Sequence, residues 1–259
     1  MSNPIEQYAP DVAVAMAAVG AARRALDIDL LDPRVELFAD QFGVDVSVID
    51  DDLRRRFLEA TGPTAFEVTQ VIYVDDYWPR VAIASGEVLG GGRWVAERSD
   101  EPAELWPLIE EFMRQVARLD SLDPVLTELI RLRGARQHEC RLCKSRRSVA
   151  AIGAGADEAT FDAVDSYADS DLPPATKAAL GLTDAMIWTP YLLPPQVVAD
   201  ASAHLSPEQV VEVVLDVARN AANKIAVALG ADAAAVTDGV ELFRTDADGN
   251  LTVVEGDPR

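Results

Sequence analysis

Apolar residues recur at helical intervals along most of the chain, in segments punctuated by Pro, Gly and Asp. Asp11 to Leu26, rich in Ala and Val, forms the first such segment. Asp32-Pro33 places a cap and a first-turn proline before a second helix that Gly43 can close. Asp50 can cap a third, with Gly62 just past its end. The pattern continues from Thr64 to Leu89, where Pro79 is expected to divide it after Tyr77-Trp78 by removing a backbone donor. Gly90-Gly91-Gly92 breaks the run, and another helix is predicted from about Pro102 to Leu119.

Asp123-Pro124 starts the helix that carries Glu128, Arg131 and Arg133. A short interruption from Gln137 to Cys140 precedes a new helix predicted from Leu142 to Ile152. Asp157 to Ala168 and Pro173 to Trp188 follow, the second introduced by Asp171. Ser206-Pro207-Glu208-Gln209 matches a capping box, and the helix it opens stays largely apolar until Gly230. Only Val240 to Val254 has an extended pattern, with Asp248-Gly249 as the turn between two short strands. The expected fold is all-α, a helical bundle with a short C-terminal β-hairpin. Its parts read as an N-terminal helical region over 1–120 with no assigned role, a cysteine-bearing helical domain over 121–238, and a tail or hairpin over 239–259.

The formal charge of −21 argues against nucleic acid or an anionic membrane as partner, since either would add like-charge repulsion. No apolar run approaches the roughly 18 residues of a membrane span. Met1-Ser2-Asn3-Pro4 lacks the basic segment and apolar stretch of a secretory signal, so a cytoplasmic protein is expected. Two cysteines in 259 residues cannot build a disulfide framework; a close pair in a reducing compartment points to redox or metal chemistry.

That pair is Cys140-Arg141-Leu142-Cys143. Two intervening residues let the sulfurs approach bonding distance, especially at a helix start, where free amides and the helix dipole favour a thiolate. Arg141, Lys144, Arg146 and Arg147 add local positive charge, which is expected to lower a thiol pKa. Helix-start reasoning favours the more N-terminal Cys140 as the exposed nucleophile. Glu128 lies twelve residues before Cys140, and His138 two before it. Arg131 and Arg133 read as structural partners of acidic neighbours. Asp216, Asn220 and Asn223 form a polar line on a greasy helix, which needs a partner helix, subunit or cavity. The cluster from Tyr73 to Arg80 reads as helix-junction packing, and Trp188 and Tyr191 as core or interface anchors.

Glu128-Leu129-Ile130-Arg131-Leu132-Arg133 followed by the CxxC resembles the alkylhydroperoxidase D-like, or carboxymuconolactone decarboxylase-like, superfamily. The likeness is strongest from Glu128 to about Gly153 and extends weakly to Gly230; the first hundred or so residues carry no such signature. It implies an all-helical homo-oligomer that reduces peroxides or disulfides as the CxxC alternates between dithiol and disulfide. Cys143 would then attack, Cys140 resolve, and Glu128 accept a proton. The implied reductant is thioredoxin-like or lipoyl-bearing. Where the family pattern has a His four residues after the second cysteine, this chain has Arg147, which cannot shuttle protons near neutral pH. Leu142 occupies the position between the cysteines that holds another family His, and His138 is the substitute within reach. Neither a metal nor NAD or flavin is expected, there being no dinucleotide fingerprint after a strand. The rival readings are a lactone decarboxylase-like enzyme, a redox sensor, or a zinc-stabilised interaction protein using His138, Cys140, Cys143 and His204.

Overall fold

Aspartate and serine residues ahead of prolines become helix caps in the structure, a computed structural model that describes residues 3–26, 28, 30–91 and 104–254. Helix α1 (Pro4–Tyr8) precedes α2 (Pro10–Ala25). Asp32 caps α3 (Pro33–Val44), Asp50 caps α4 (Asp51–Thr61), and Gly62 ends α4 at φ +55°. Helix α5 (Ala65–Leu89) runs unbroken through Pro79, so the expected division does not occur. Burial explains the difference. Tyr73, Tyr77, Trp78 and Arg80 are all buried, and Arg80 ties the turn after the proline to the carbonyls of Gly43, Met186 and Ile187. The packing of the Tyr73–Arg80 cluster is therefore core packing along a continuous helix. The next helix, α6 (Leu105–Val116), is shorter than the pattern indicated; Gly92 and Pro102 lie outside the described residues.

Asp123 caps α7 (Pro124–Gln137), which ends just before the cysteine pair on α8 (Arg141–Lys144). The helix expected from Leu142 to Ile152 is instead broken by strand β1 (Arg146–Ser148) before α9 (Val149–Gly153). Its partner, β2 (Glu241–Thr245), pairs with it in parallel, Arg147 opposite Leu242, while β2 and β3 (Leu251–Val253) form the predicted hairpin. A strand that exists only because a segment 95 residues away pairs with it leaves no local signature. Helix α10 (Glu158–Asp162) is short, and α11 (Pro174–Trp188) has no side-chain cap, so Asp171 does not serve as one. Helix α12 (Pro195–His204) leads to the capping box of α13 (Pro207–Ala221), in which Gln209 N–H donates to Ser206 Oγ and Ser206 N–H to Gln209 Oε1. A break at Ala222-Asn223 separates α13 from α14 (Lys224–Ala228).

Every residue of α13 from Val210 to Ala218 is buried. A helix buried on all sides belongs at the centre of a bundle, and α13 packs against α5, α6, α7 and α11. One buried apolar cluster joins residues from α1 through α14. The fold is all-α with a short C-terminal strand region. Among the described residues no helix is long and apolar enough to cross a membrane.

Candidate functional site

Three local devices place the cysteines. His138 ends α7, and Glu139 turns the chain at φ 53°, a conformation costly for any residue with a Cβ. Cys140 N–H then donates to Ala135 O at 3.0 Å, fixing the turn against the helix just left. Asp232 holds the far side: its Oδ2 accepts from Arg141 N–H at 2.8 Å, its Oδ1 from Arg141 Nη2 at 2.7 Å, and its carbonyl from Leu142 N–H at 3.0 Å. Cys140 and Cys143 are joined as a disulfide, with Cα atoms 5.3 Å apart, and Cys140 Sγ accepts from Cys143 N–H at 3.2 Å. Cys140 is 1% exposed and Cys143 8%. The expectation that Cys140 is the more exposed sulfur is reversed, because the Glu139 turn tucks the helix start inward.

Glu128 is buried one turn away from Arg131, which binds it through both Nε (2.6 Å) and Nη2 (2.7 Å). Glu128 Oε1 also accepts from Ser148 N–H at 3.1 Å. The same guanidinium donates to the carbonyls of Cys143 and Arg146, each at 2.8 Å, and lies over the Phe243 ring. Arg131 thus clamps α7, the cysteine segment and the hairpin together.

A cavity of about 750 Å³ opens beside this clamp. Cys143 and Glu128 line it together, with Arg219 and Asn220 from the end of α13, Asn223 from the break after it, and Phe243 and Gly249 from the hairpin. Cys140 and His138 do not line it. Two members of the predicted polar line, Asn220 on α13 and Asn223 just past its end, therefore meet the cavity, while Asp216 is outside the lining. Asp216 pairs with Arg219 at 3.7 Å, and burial pushes its carboxyl up to about 7. Burial also raises Glu212, whose Oε2 accepts from the backbone amides of Ser121 and Leu122. The Asn220 Nδ2 and Asp216 Oδ2 atoms are buried without hydrogen-bond partners. Burial holds the Arg219 guanidinium below its ordinary pKa.

His138 points the other way. Its Nε2 lies 3.3 Å from the Tyr77 hydroxyl, and burial, then the nearby Lys224 and Arg80 charges, push its pKa well below the ordinary value. An imidazole so placed is neutral at pH 7. Around it Asp76 receives Lys224 Nζ at 3.0 Å and Arg80 Nε at 2.7 Å, and Lys224 also faces the rings of Phe42 and Tyr77. The structure brings Cys143 and Glu128 to one cavity and places His138 in this separate buried network.

The cationic surroundings expected to lower a thiol pKa are largely neutralised. Arg141 pairs with Asp232, Lys144 with Glu139, Arg146 with Glu241 and Arg147 with Glu158. Arg147 is buried over the Phe161 ring and donates to the carbonyls of Lys144 and Arg146. Arg133 is structural, binding Asp184 through two nitrogens. Trp188 and Tyr191 are exposed, at 44% and 75%, and so do not anchor the core of this chain. Among the described residues no group of three or more His, Cys, Asp or Glu side chains is arranged to hold a metal ion.

No protein-family model matches the chain, and no solved structure matches it. It is similar to two Mycobacterium tuberculosis proteins, Uncharacterized protein MT2376 of strain CDC 1551 / Oshkosh and Uncharacterized protein Rv2313c of strain ATCC 25618 / H37Rv. Each is 41% identical over 223 residues, spanning 82% of this chain and 77% of the relative. The chain belongs to the Rv2313c family. In this member of the Rv2313c family, sequence reasoning passed over Arg219, Asp232 and Phe243. Arg219 shows a weak signal, as a cation one residue before Asn220 on an otherwise apolar helix; the other two act only through tertiary contact.

Proposed function

We propose that this protein is a thiol oxidoreductase of the alkylhydroperoxidase D-like type, reducing hydroperoxides or disulfides through Cys140 and Cys143. The observation that carries the reading is the Cys140–Cys143 disulfide whose Cys143 end shares one cavity with the Glu128 carboxylate. In the reduced protein Cys143 gives its proton to Glu128, directly or through water, and the thiolate attacks the outer oxygen of the hydroperoxide. The O–O bond breaks, an S–O bond forms, and the alkoxide takes a proton and leaves as the alcohol. Cys140 then attacks the Cys143 sulfenic acid, forming the disulfide and releasing water. Two thiols and ROOH thus become a disulfide, ROH and water. A dithiol partner, thioredoxin-like or lipoyl-bearing, restores the thiols by two exchanges. Such a cycle suits a cytoplasmic homo-oligomer. His138 contributes no relay in this scheme, since it faces Tyr77.

Intact mass of the reduced protein, followed after one equivalent of an organic hydroperoxide, tests the reading. Loss of two hydrogens within seconds, abolished in Cys140→Ser and Cys143→Ser and slowed in Glu128→Gln, is expected. An unchanged mass over many minutes overturns the peroxidase activity and leaves disulfide exchange, read by oxidation of the reduced protein with a small disulfide, to decide the rest. A second reading, a non-catalytic redox-responsive bond, draws on the carboxylate pairing of Arg141, Lys144, Arg146 and Arg147, which leaves little free charge to activate a thiol. It predicts the same mass change, slow and indifferent to Glu128→Gln.

A further inference from the structure

The chain carries 44 acidic and 23 basic side chains, yet the cavity reverses that balance. Arg114, Arg131, Arg146 and Arg219 line it against Glu110, Asp120 and Glu128. Three of these arginines are committed at short range: Arg114 to Glu111 at 2.8 Å, Arg131 to Glu128 and Arg146 to Glu241, each at 2.6 Å. Arg219 differs. Among the described residues its ion pair is with Asp216 at 3.7 Å, beyond hydrogen-bonding range, and Asp216 stands outside the cavity lining. Beside it, Asn220 presents a buried Nδ2 with no acceptor. A guanidinium and an amide donor, both short of acceptors and both belonging to residues that line the cavity, make an incomplete anion site, because buried donors are normally satisfied. Apolar side chains also line the cavity, from Met113, Leu119, Leu122, Leu142, Phe243 and Leu251.

We infer that this cavity binds a molecule with an apolar body and a carboxylate, the carboxylate held by Arg219 and Asn220. A cavity of about 750 Å³ accommodates a medium-length acyl chain. What then happens to the bound molecule rests on the redox reading: a hydroperoxide or disulfide group elsewhere on the same body reaches Cys143, which lines the same cavity. Binding itself does not depend on that chemistry.

Calorimetry on the oxidised full-length protein, in which Cys140 and Cys143 cannot react, separates the two. The probes are decanoate and, as an uncharged control of equal length, 1-decanol. Decanoate is expected to bind saturably with one site per chain, roughly tenfold or more tighter than decanol. Arg219→Gln is expected to weaken decanoate by roughly tenfold or more and leave decanol unchanged. Asn220→Asp, which turns the donor into a repelling acceptor, weakens decanoate in the same sense and serves if Arg219→Gln fails to fold by its thermal melt. Equal affinity for both probes, decanoate binding indifferent to both substitutions, or no binding at roughly millimolar decanoate overturns the inference. Decanoate binding that needs Arg219, in a protein whose reduced form ignores both hydroperoxide and a small disulfide, would sink the redox reading alone. Rapid peroxide reduction with no preference for decanoate would sink the carboxylate site alone.

Discussion

Replacing Asp76 by Asn removes a carboxylate that bonds two buried cations. Lys224 and Arg80 are each 2% exposed and Asp76 7%, with contacts of 3.0 Å and 2.6 Å. The substitution keeps the shape and leaves an ammonium and a guanidinium facing a neutral amide. Removing one partner of a buried pair costs about 3–5 kcal/mol, which for a chain of this size lowers Tm by roughly 6–20 °C. Lys224→Met in the Asp76→Asn background should recover part of that loss, since it removes one stranded charge and fills the space beside Phe42 and Tyr77. The pH dependence supplies an independent check. Burial lowers the Lys224 ammonium from its ordinary 10.5 to about 8. Between those values the unfolded chain holds a proton that the folded chain has shed, so stability from this group rises with pH, by about 2 kcal/mol between pH 8 and 10. Denaturant unfolding of the wild type, both single variants and the double variant, at pH 8 and at pH 10, measures each quantity. A loss below about 1 kcal/mol for Asp76→Asn, or losses that simply add in the double variant, would refute the description of a desolvated, coupled cluster.

Gly249→Ala is expected to cost about 2–4 kcal/mol or release the hairpin, because Gly249 adopts φ +82° and a Cβ there would lie 2.9 Å from Arg114 Cα; chemical unfolding together with calorimetric titration of decanoate would register both effects. Ser206→Ala should destabilise by about 1 kcal/mol through loss of the α13 capping box, read from the shift in denaturation midpoint. In the reduced protein, brief treatment with iodoacetamide followed by peptide mapping should label Cys143 ahead of Cys140, since only Cys143 lines the cavity; equal labelling would contradict the orientation described.

Much of the fold was legible because its signals are local. Asp32, Asp50, Asp123 and Ser206 cap the helices predicted for them, and Asp248-Gly249 makes the expected turn. The errors share a cause. Pro79 breaks helices by default, but here the surrounding burial and the contacts of Arg80 outweigh the lost backbone bond. Strand β1 depends on a distant partner, and the inward tuck of Cys140 depends on the Glu139 turn and Asp232. At the site, Glu128 and the cysteine pair were visible through spacing, and the polar line on α13 through its contrast with apolar neighbours. Which way His138 faces, and which cations near the cysteines are already paired, are tertiary facts that no window of sequence contains.

The parallel pairing of β1 with β2 also orders events in time. Glu241 meets Arg146 from 95 positions away, whereas the cysteines are three apart and Glu128 is on the adjoining helix. Contacts of large sequence separation carry a greater loop-closure cost and form slowly. During refolding the thiols can therefore oxidise while the hairpin wall of their cavity is still absent, and Cys143 passes through an interval in which bulky oxidants and other thiols reach it freely. The hairpin wall limits what reaches Cys143 only once the molecule is finished.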